Sequence, residues 1–281
     1  MTDVDDKLRK IEGTRKTLDG ATSEVGKRDY RQSYVNFNNF FEWAETAAEV
    51  NDPDVARTVL YFGFQPLYDL LIDNEDLTPS NRTGAVKVLD AMMLRGTEYL
   101  AGYYSGNPQT KIVNDLGIST RASMKKIERF EFRTKHRNVD YNGISPKDIL
   151  LFLQQFFDAT LDGKVTVPNF VVGVACGPSE IAMPLAHFSE AGLGFIRQSK
   201  RRGDRSPRII REHGSHLEKG IKDSHAIVLE DYVCTGTSLA LTMERVSTYS
   251  PRSLLGASIN SMHPSSLREI ASKQKFQLYT L

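Results

Sequence analysis

The stretch from Ala226 to Leu239 constrains the fold of this chain more than any other. Ala226, Ile227, Val228 and Leu229 make a continuous apolar run that ends in two adjacent acids, Glu230 and Asp231. Tyr232 and Val233 follow, then a small, hydroxyl-rich turn of Cys234, Thr235, Gly236, Thr237 and Ser238, with a helix expected from about Leu239. An apolar run without alternation reads as a strand covered on both faces, which is the condition of a buried parallel sheet. In open α/β sheets ligands bind beyond the carboxyl ends of the strands, where these acids fall. A turn that opens a helix presents backbone N–H groups and hydroxyls, a cradle suited to phosphate. Two carboxylates beside it suit a ligand with sugar hydroxyls between phosphates.

The surrounding residues repeat the pattern. Phe170–Val174, Gly194-Phe195-Ile196 and Leu254–Ala257 are further short apolar runs, and helical segments separate them. Ser145-Pro146 starts a helix whose apolar face is Ile149, Leu150, Phe152, Leu153, Phe156 and Phe157. The expected architecture over residues 141–281 is therefore an α/β domain, a parallel sheet flanked by helices on both faces.

Residues 1–140 read differently. Tyr34, Phe37, Phe40, Phe41 and Ala44 recur at helical spacing, as do Val55, Val59 and Phe62, and Val86, Leu89, Met93 and Leu100. Asp52-Pro53 and Thr78-Pro79-Ser80 are helix starts, and Gly106-Asn107-Pro108 is a stop. Trp43 among its aromatic neighbours is a core residue. An all-α domain is expected, with no recognisable active site of its own. Within it, Lys111–Phe130 has the pattern of a helix-turn-helix, with a turn at Ile118-Ser119 and a basic second helix carrying Arg121, Lys125, Lys126 and Arg129. A plain turn between bundle helices reads the same way.

Charge refines the division. Residues 1–140 carry 20 Lys+Arg against 22 Asp+Glu, a net −2, and residues 141–281 carry 16 against 13, a net +3. Much of that excess is one segment, in which Arg197, Lys200, Arg201, Arg202, Arg205, Arg208 and Arg211 fall within fifteen residues interrupted by Gly203 and Pro207. It reads as a loop, for a ligand, for nucleic acid or simply for solvent. No apolar run reaches the ~18 residues a membrane-spanning helix needs. The charged first ten residues are unlike a secretory signal, and two cysteines, Cys176 and Cys234, make no disulfide framework. A reducing cytoplasm is the expected compartment. His213 and His216, with Glu212 and Glu218 nearby, lack a third metal ligand at a sensible spacing and are expected in a solvated loop.

The Ala226–Leu239 stretch resembles the phosphoribosyl-diphosphate (PRPP) loop of type I phosphoribosyltransferases: four apolar residues, two acids, two more residues, then a Thr/Gly-rich turn. Gly236-Thr237 in the turn and Gly177-Pro178 after the first strand are similar to the orotate branch. The similarity covers Ser145 to about Ala257. It implies that Glu230 and Asp231 hold the ribose, and that Cys234, Thr235, Gly236, Thr237 and Ser238 hold the 5′-phosphate. It further implies that Cys176, Gly177, Pro178, Arg197 and Lys200 hold pyrophosphate, and that Arg201 acts with Glu230 and Asp231 in catalysis. Mg²⁺ is implied, reaching the acids through PRPP, with a nucleobase or nucleotide as the second ligand. A homodimer or larger assembly is expected, the helical region being an oligomerising surface or one for a protein or DNA partner. The chain departs from the family in three places. Cys176 and Glu180 stand where many members have a basic residue, and Gln198 stands where the orotate branch has a Lys. Glu180 is compatible with an anion only if it points away from it or helps hold a metal. These departures open a second reading, a non-catalytic sensor or effector subunit that binds PRPP or a nucleotide.

Overall fold

The computed structural model describes residues 3–25, 52–74, 77–127, 145–175, 179–198, 203–233, 236–261 and 277–280. The pattern Tyr34 to Ala44, Trp43, and the predicted site residues Cys176, Gly177, Pro178, Lys200, Arg201, Cys234 and Thr235 lie outside them.

Helices alone form the described part of the first 140 residues: α1 (Asp3–Val25), α2 (Pro53–Asp73), α3 (Pro79–Tyr104) and α4 (Lys111–Ile127). Their starts follow local chemistry. Asp52 caps α2 by accepting from the backbone N–H of Asp54 at 2.9 Å and of Val55 at 3.3 Å, with Pro53 in the first turn. Pro79 likewise opens α3, and Gly106 takes a positive φ of 79° just beyond its end. α4 corrects the helix-turn-helix expectation. The helix runs unbroken through Gly117-Ile118-Ser119, and the Ser119 hydroxyl is satisfied inside it by donating to the Leu116 carbonyl at 3.0 Å. A serine that bonds back to the preceding turn needs no break in the helix.

α5 (Pro146–Leu161) opens on a reciprocal cap. Ser145 Oγ accepts from the Asp148 N–H, and the Asp148 carboxylate accepts from the Ser145 N–H. There follow β1 (Phe170–Val174), α6 (Ser179–Phe188), β2 (Gly192–Ile196), a 3₁₀ turn at Arg211–His213 and α7 (Gly214–Ile221). The chain then forms β3 (His225–Val233), α8 (Thr237–Ser247), β4 (Ser253–Ser261) and β5 (Gln277–Thr280). All pairings are parallel and the spatial order is β2-β1-β3-β4-β5. One row across the sheet reads Gly194, Val172, Val228, Gly256, Leu278. Four of these strands were legible as apolar runs; β5 was not.

The two faces bury different helices. Phe170, Val172, Val174, Ala226 and Val228 pack with Leu217 and Ile221 of α7 and with Leu239, Met243 and Val246 of α8. Val171, Phe195, Ile227, Leu229 and Ala257 belong to a second core, which also takes in α1 to α6. Strand residues therefore divide between the faces by the period of two. That second core runs across residue 140: the ring of Phe64 on α2 packs at a tilt against that of Phe195 on β2 with centroids 4.8 Å apart, and the apolar positions foreseen for α5 are all buried within it. No described helix is long and apolar enough to cross a membrane.

Candidate functional site

In chain order the strands lie 2-1-3-4-5, so the connections leaving β1 and β3 diverge to opposite sides at their shared boundary. A crevice opens there in sheets of this order. β3 outruns β1: its pairing with β1 ends at Gly173–Leu229, whereas its pairing with β4 continues to Val233–Ser261. Glu230 and Asp231 sit on that overhang. They are part of the strand, which runs past them to Val233.

Glu230 is tied to the helix that follows. Its carboxyl accepts a hydrogen bond from the Leu239 backbone N–H in the first turn of α8, while Oε2 is shut off from solvent with no hydrogen-bond partner among the described residues. Burial pushes the Glu230 pKa up to about 8, the adjacent Asp231 adds to the rise, and the Leu239 N–H offsets part of it. Near neutral pH Glu230 therefore holds a proton that it can give or share.

Gly236 caps α8 with a φ of 74°, a left-handed conformation open to glycine at no steric cost, and has no side chain to bond the helix end. The first N–H groups of α8 are thus presented at the end of β3 beside the acids, with Thr237 and Ser238 in the opening turn. The structure brings Glu230, Asp231, Gly236, Thr237 and Ser238 together. A closed ligand set is absent: among the described residues no group of three or more His, Cys, Asp or Glu is placed to hold a metal.

Two residues of the segments that the sequence pointed to for pyrophosphate do something the sequence did not reveal. Arg197, at the end of β2, is 2% exposed, and its guanidinium is enclosed by three carboxylates. Nε donates to Asp204, Nη1 to Asp69 and Asp73, and Nη2 to Asp73 and Asp204, at 2.6 to 3.1 Å. All five donors of the group are satisfied in this way. Burial works against its charge, but Asp73 and Asp204 outweigh that and hold it protonated beyond its ordinary range. Arg208 pairs with the backbone of Arg197 in both directions at 2.8 Å, and its side chain bonds Asp73 and the Ile72 carbonyl. The base of the basic segment is thereby pinned to the C-terminal end of α2. Gln198 is buried beside it, donating to the Asp204 carbonyl at 3.3 Å.

Glu180, in the first turn of α6, points into the helical region. It is 2% exposed, and it accepts from Arg57 of α2 and from the Tyr104 hydroxyl of α3, the latter at 2.9 Å. Burial disfavours the Arg57 charge, yet Glu180 holds its pKa well above the usual range. The acid that looked awkward beside an anion is neutralised from behind.

His213 and His216 are not in a loop. His213 ends the 3₁₀ turn and meets Asp90 Oδ1 at 2.9 Å, and His216 lies on α7 with Nε2 3.1 Å from the Leu193 carbonyl. Both line a cleft of about 780 Å³ with Asp90, Leu94, His187 and Leu193, at the β2 edge of the sheet. None of Glu230, Asp231 or Gly236–Ser238 lines it, so its volume does not locate the chemistry.

What the sequence missed is the set on α2 and α3: Arg57, Asp69, Asp73 and Tyr104. The one local signal is Asp69, a lone acid between Tyr68 and Leu70-Leu71 in an apolar stretch. Its partner lies 128 residues away.

No family model matches the chain, and no curated protein matches it. Among solved structures, the orotate phosphoribosyltransferase of Aeropyrum pernix is similar to it in part. The two are 20% identical, with a TM-score of 0.32, over 40% of this chain and 59% of that one. The fold is mixed α/β, a parallel sheet flanked by helices.

Proposed function

We propose that this protein binds PRPP at the boundary of β1 and β3 and transfers its ribose 5-phosphate to a nucleobase, an orotate-like base being the best fit. The observation that carries the reading is the meeting of an acid pair, a helix N-terminus opened by a glycine and the reversal of strand order at one place. In this reading Glu230 and Asp231 take the two ribose hydroxyls, and Oε2 of Glu230, without a partner among the described residues, is a ready site for one of them. The 5′-phosphate lies on Gly236, Thr237 and Ser238, with Cys234 and Thr235 completing the turn. Cys176, Gly177 and Pro178 after β1, with Lys200 and Arg201 after β2, receive the diphosphate. The bond from the anomeric carbon to the diphosphate oxygen breaks, a bond to a base nitrogen forms as that nitrogen gives up its proton to solvent, and pyrophosphate leaves. Mg²⁺, arriving with the ligand, would have Glu230 and Asp231 as its nearest protein carboxyls and would supply positive charge to the departing diphosphate.

A second reading, a non-catalytic PRPP or nucleotide sensor acting through the helical region, is favoured by Arg197. All five of its donors serve protein carboxylates, so neutralisation of a leaving pyrophosphate falls to other cations. Titration calorimetry with PRPP and Mg²⁺, followed by a pyrophosphate-release assay over the common bases, separates the two. Binding with release for one base supports the transferase, and binding without release for any base supports the sensor. An absence of binding, or equal binding after Asp231→Asn, overturns both.

A further inference from the structure

The cleft at the β2 edge, about 780 Å³, has the volume of a small-molecule site. One wall is a single face of α3, with Asp90, Met93, Leu94 and Thr97 at helical spacing; the end of α6, the start of β2 and the turn into α7 make the rest. Leu94 is 61% exposed, a large apolar side chain left uncovered beside Met93, Ala191 and Leu193. The polar lining is three imidazoles, His187, His213 and His216, and three acids, Asp90, Glu190 and Glu212; no lysine or arginine lines the cleft. The acids are not equivalent. Lys10 takes both oxygens of Glu190, and Arg82 takes both of Glu212, at 2.6 to 2.9 Å. Asp90, with more than half of its side chain exposed, meets His213 Nε2 through Oδ1 at 2.9 Å, and its Oδ2 is open among the described residues. The imidazoles add acceptors. A carbonyl oxygen only accepts, so His216 Nε2 carries the proton it donates to Leu193, and Nδ1 of the neutral ring is an acceptor. His213, donating from Nε2 to the Asp90 carboxylate, leaves its Nδ1 in the same state.

We infer that this cleft is a second small-molecule site and that its ligand is a compact organic cation, a flat apolar body carrying an amine or amidine. The apolar walls take the body, the Asp90 carboxylate takes the charge, and the imidazole acceptors take further N–H groups. An anion finds no cationic side chain on the lining. A metal ion finds no set of three or more His, Cys, Asp or Glu among the described residues. The cleft is also apart from the acid pair. Leu193 is the second residue of β2, whereas Glu230 and Asp231 lie beyond the last β1 pairing of β3, so parallel strands put the two sites toward opposite ends of the sheet. The inference does not depend on the PRPP reading.

The test sets benzamidine, an amidinium on a benzene ring, against benzoate, which has nearly the same shape and the opposite charge. Each is titrated into the full-length chain and followed by amide shifts in ¹H–¹⁵N NMR spectra. The expected result is saturable benzamidine binding with a Kd of roughly 1 mM or tighter. Its shifts should centre on Asp90, Leu94, His213 and His216, and benzoate should give none that saturate there. Asp90→Asn removes the charge, keeps the shape and should weaken benzamidine about tenfold. Leu94→Lys, at an exposed position, brings a cation to the cleft and should weaken it at least as much. Thermal melts establish that both variants are folded at the assay temperature. Asp231→Asn, at the acid pair, should leave benzamidine binding as it is. Benzoate binding as tight as that of benzamidine, no saturable benzamidine binding, or equal benzamidine affinity in the wild type, Asp90→Asn and Leu94→Lys overturns the inference. Loss of binding in Asp231→Asn alone places the cation on the acid pair and overturns it as well.

Discussion

Arg197 Nη1 lies 3.0 Å from Asp69 Oδ1, and neither side chain reaches solvent: they are 2% and 0% exposed. One residue directly follows β2 and the other sits in the last turns of α2, so the pair joins the sheet to the helical region inside their common core. A charge in such a place persists only when its partners are complete.

Removing the guanidinium alone should therefore be expensive. Arg197→Met leaves Asp69, Asp73 and Asp204 facing one another without their shared cation, and a loss of about 3–5 kcal/mol is expected. Urea unfolding measures it. Adding Asp69→Asn in the Arg197→Met background should cost less than the sum of the two single changes, because the orphaned carboxylate goes with it. Strict additivity would show that the two residues do not act together.

Glu230 sets a pH dependence. Its pKa is about 8 in the folded protein against the ordinary 4.5. Between those values the folded state holds the proton more tightly than the unfolded chain, so stability falls as pH rises through the window and levels off above it. The full span is on the order of a few kcal/mol. Glu230→Gln should flatten this slope and make the protein more stable at pH 8.5. A variant whose stability profile from pH 5 to 8.5 parallels the wild type would contradict the assignment.

The Glu230 proton also gives a binding signature. Ribose hydroxyls that donate to the carboxyl favour its charged form, so binding of PRPP near pH 7 should release a fraction of a proton. Calorimetric enthalpies in two buffers of different ionisation heat read this directly. Proton uptake on binding would be the wrong sign.

Arg82 and Glu212 supply the opposite case. The Arg82 guanidinium, 2.6 Å away, pulls the Glu212 pKa down to about 2, against a smaller cost of burial. The folded state then binds fewer protons than the unfolded one below about pH 4.5. The stabilisation is complete above that pH and is lost as pH falls through about 2. Glu212→Gln should cost about 1–3 kcal/mol at pH 7 and progressively less below pH 4. A penalty that does not shrink in acid would point to packing instead.

Gly236→Ala tests the turn. A side chain at a φ of 74° costs about 1–2 kcal/mol, and relief of that strain would turn the first N–H groups of α8 away from the phosphate. Stability should drop by that amount while ribose 5-phosphate affinity falls by more than tenfold, a change of more than ~1.4 kcal/mol. Unchanged affinity would separate the turn from the ligand.

Much of the fold was legible because its signals are local. An apolar run, an acid pair and a Gly-containing turn occupy consecutive residues in β3 and α8, and Ser145 needs only Asp148, three positions on, to start α5. The errors were local as well. Ile118-Ser119 looked like a turn because serine and glycine break helices on average, yet α4 passes through them with the Ser119 hydroxyl satisfied within the helix. β5 follows the chain's last long connection and has no extended apolar run to announce it.

The sequence by itself determined the acid pair, the turn that opens α8 and the parallel strands around them, because residues a few positions apart dictate backbone shape and burial. The tertiary structure alone decided what surrounds them. Arg197 had the pattern of a ligand cation and became the centre of a carboxylate cage whose Asp69 lies 128 residues away in the chain. Glu180 had the look of a misplaced charge and is held from behind by Arg57 and Tyr104, 123 and 76 residues away. Charge is visible in a sequence, but its partner is not, since ion pairing across packed elements follows no period along the chain.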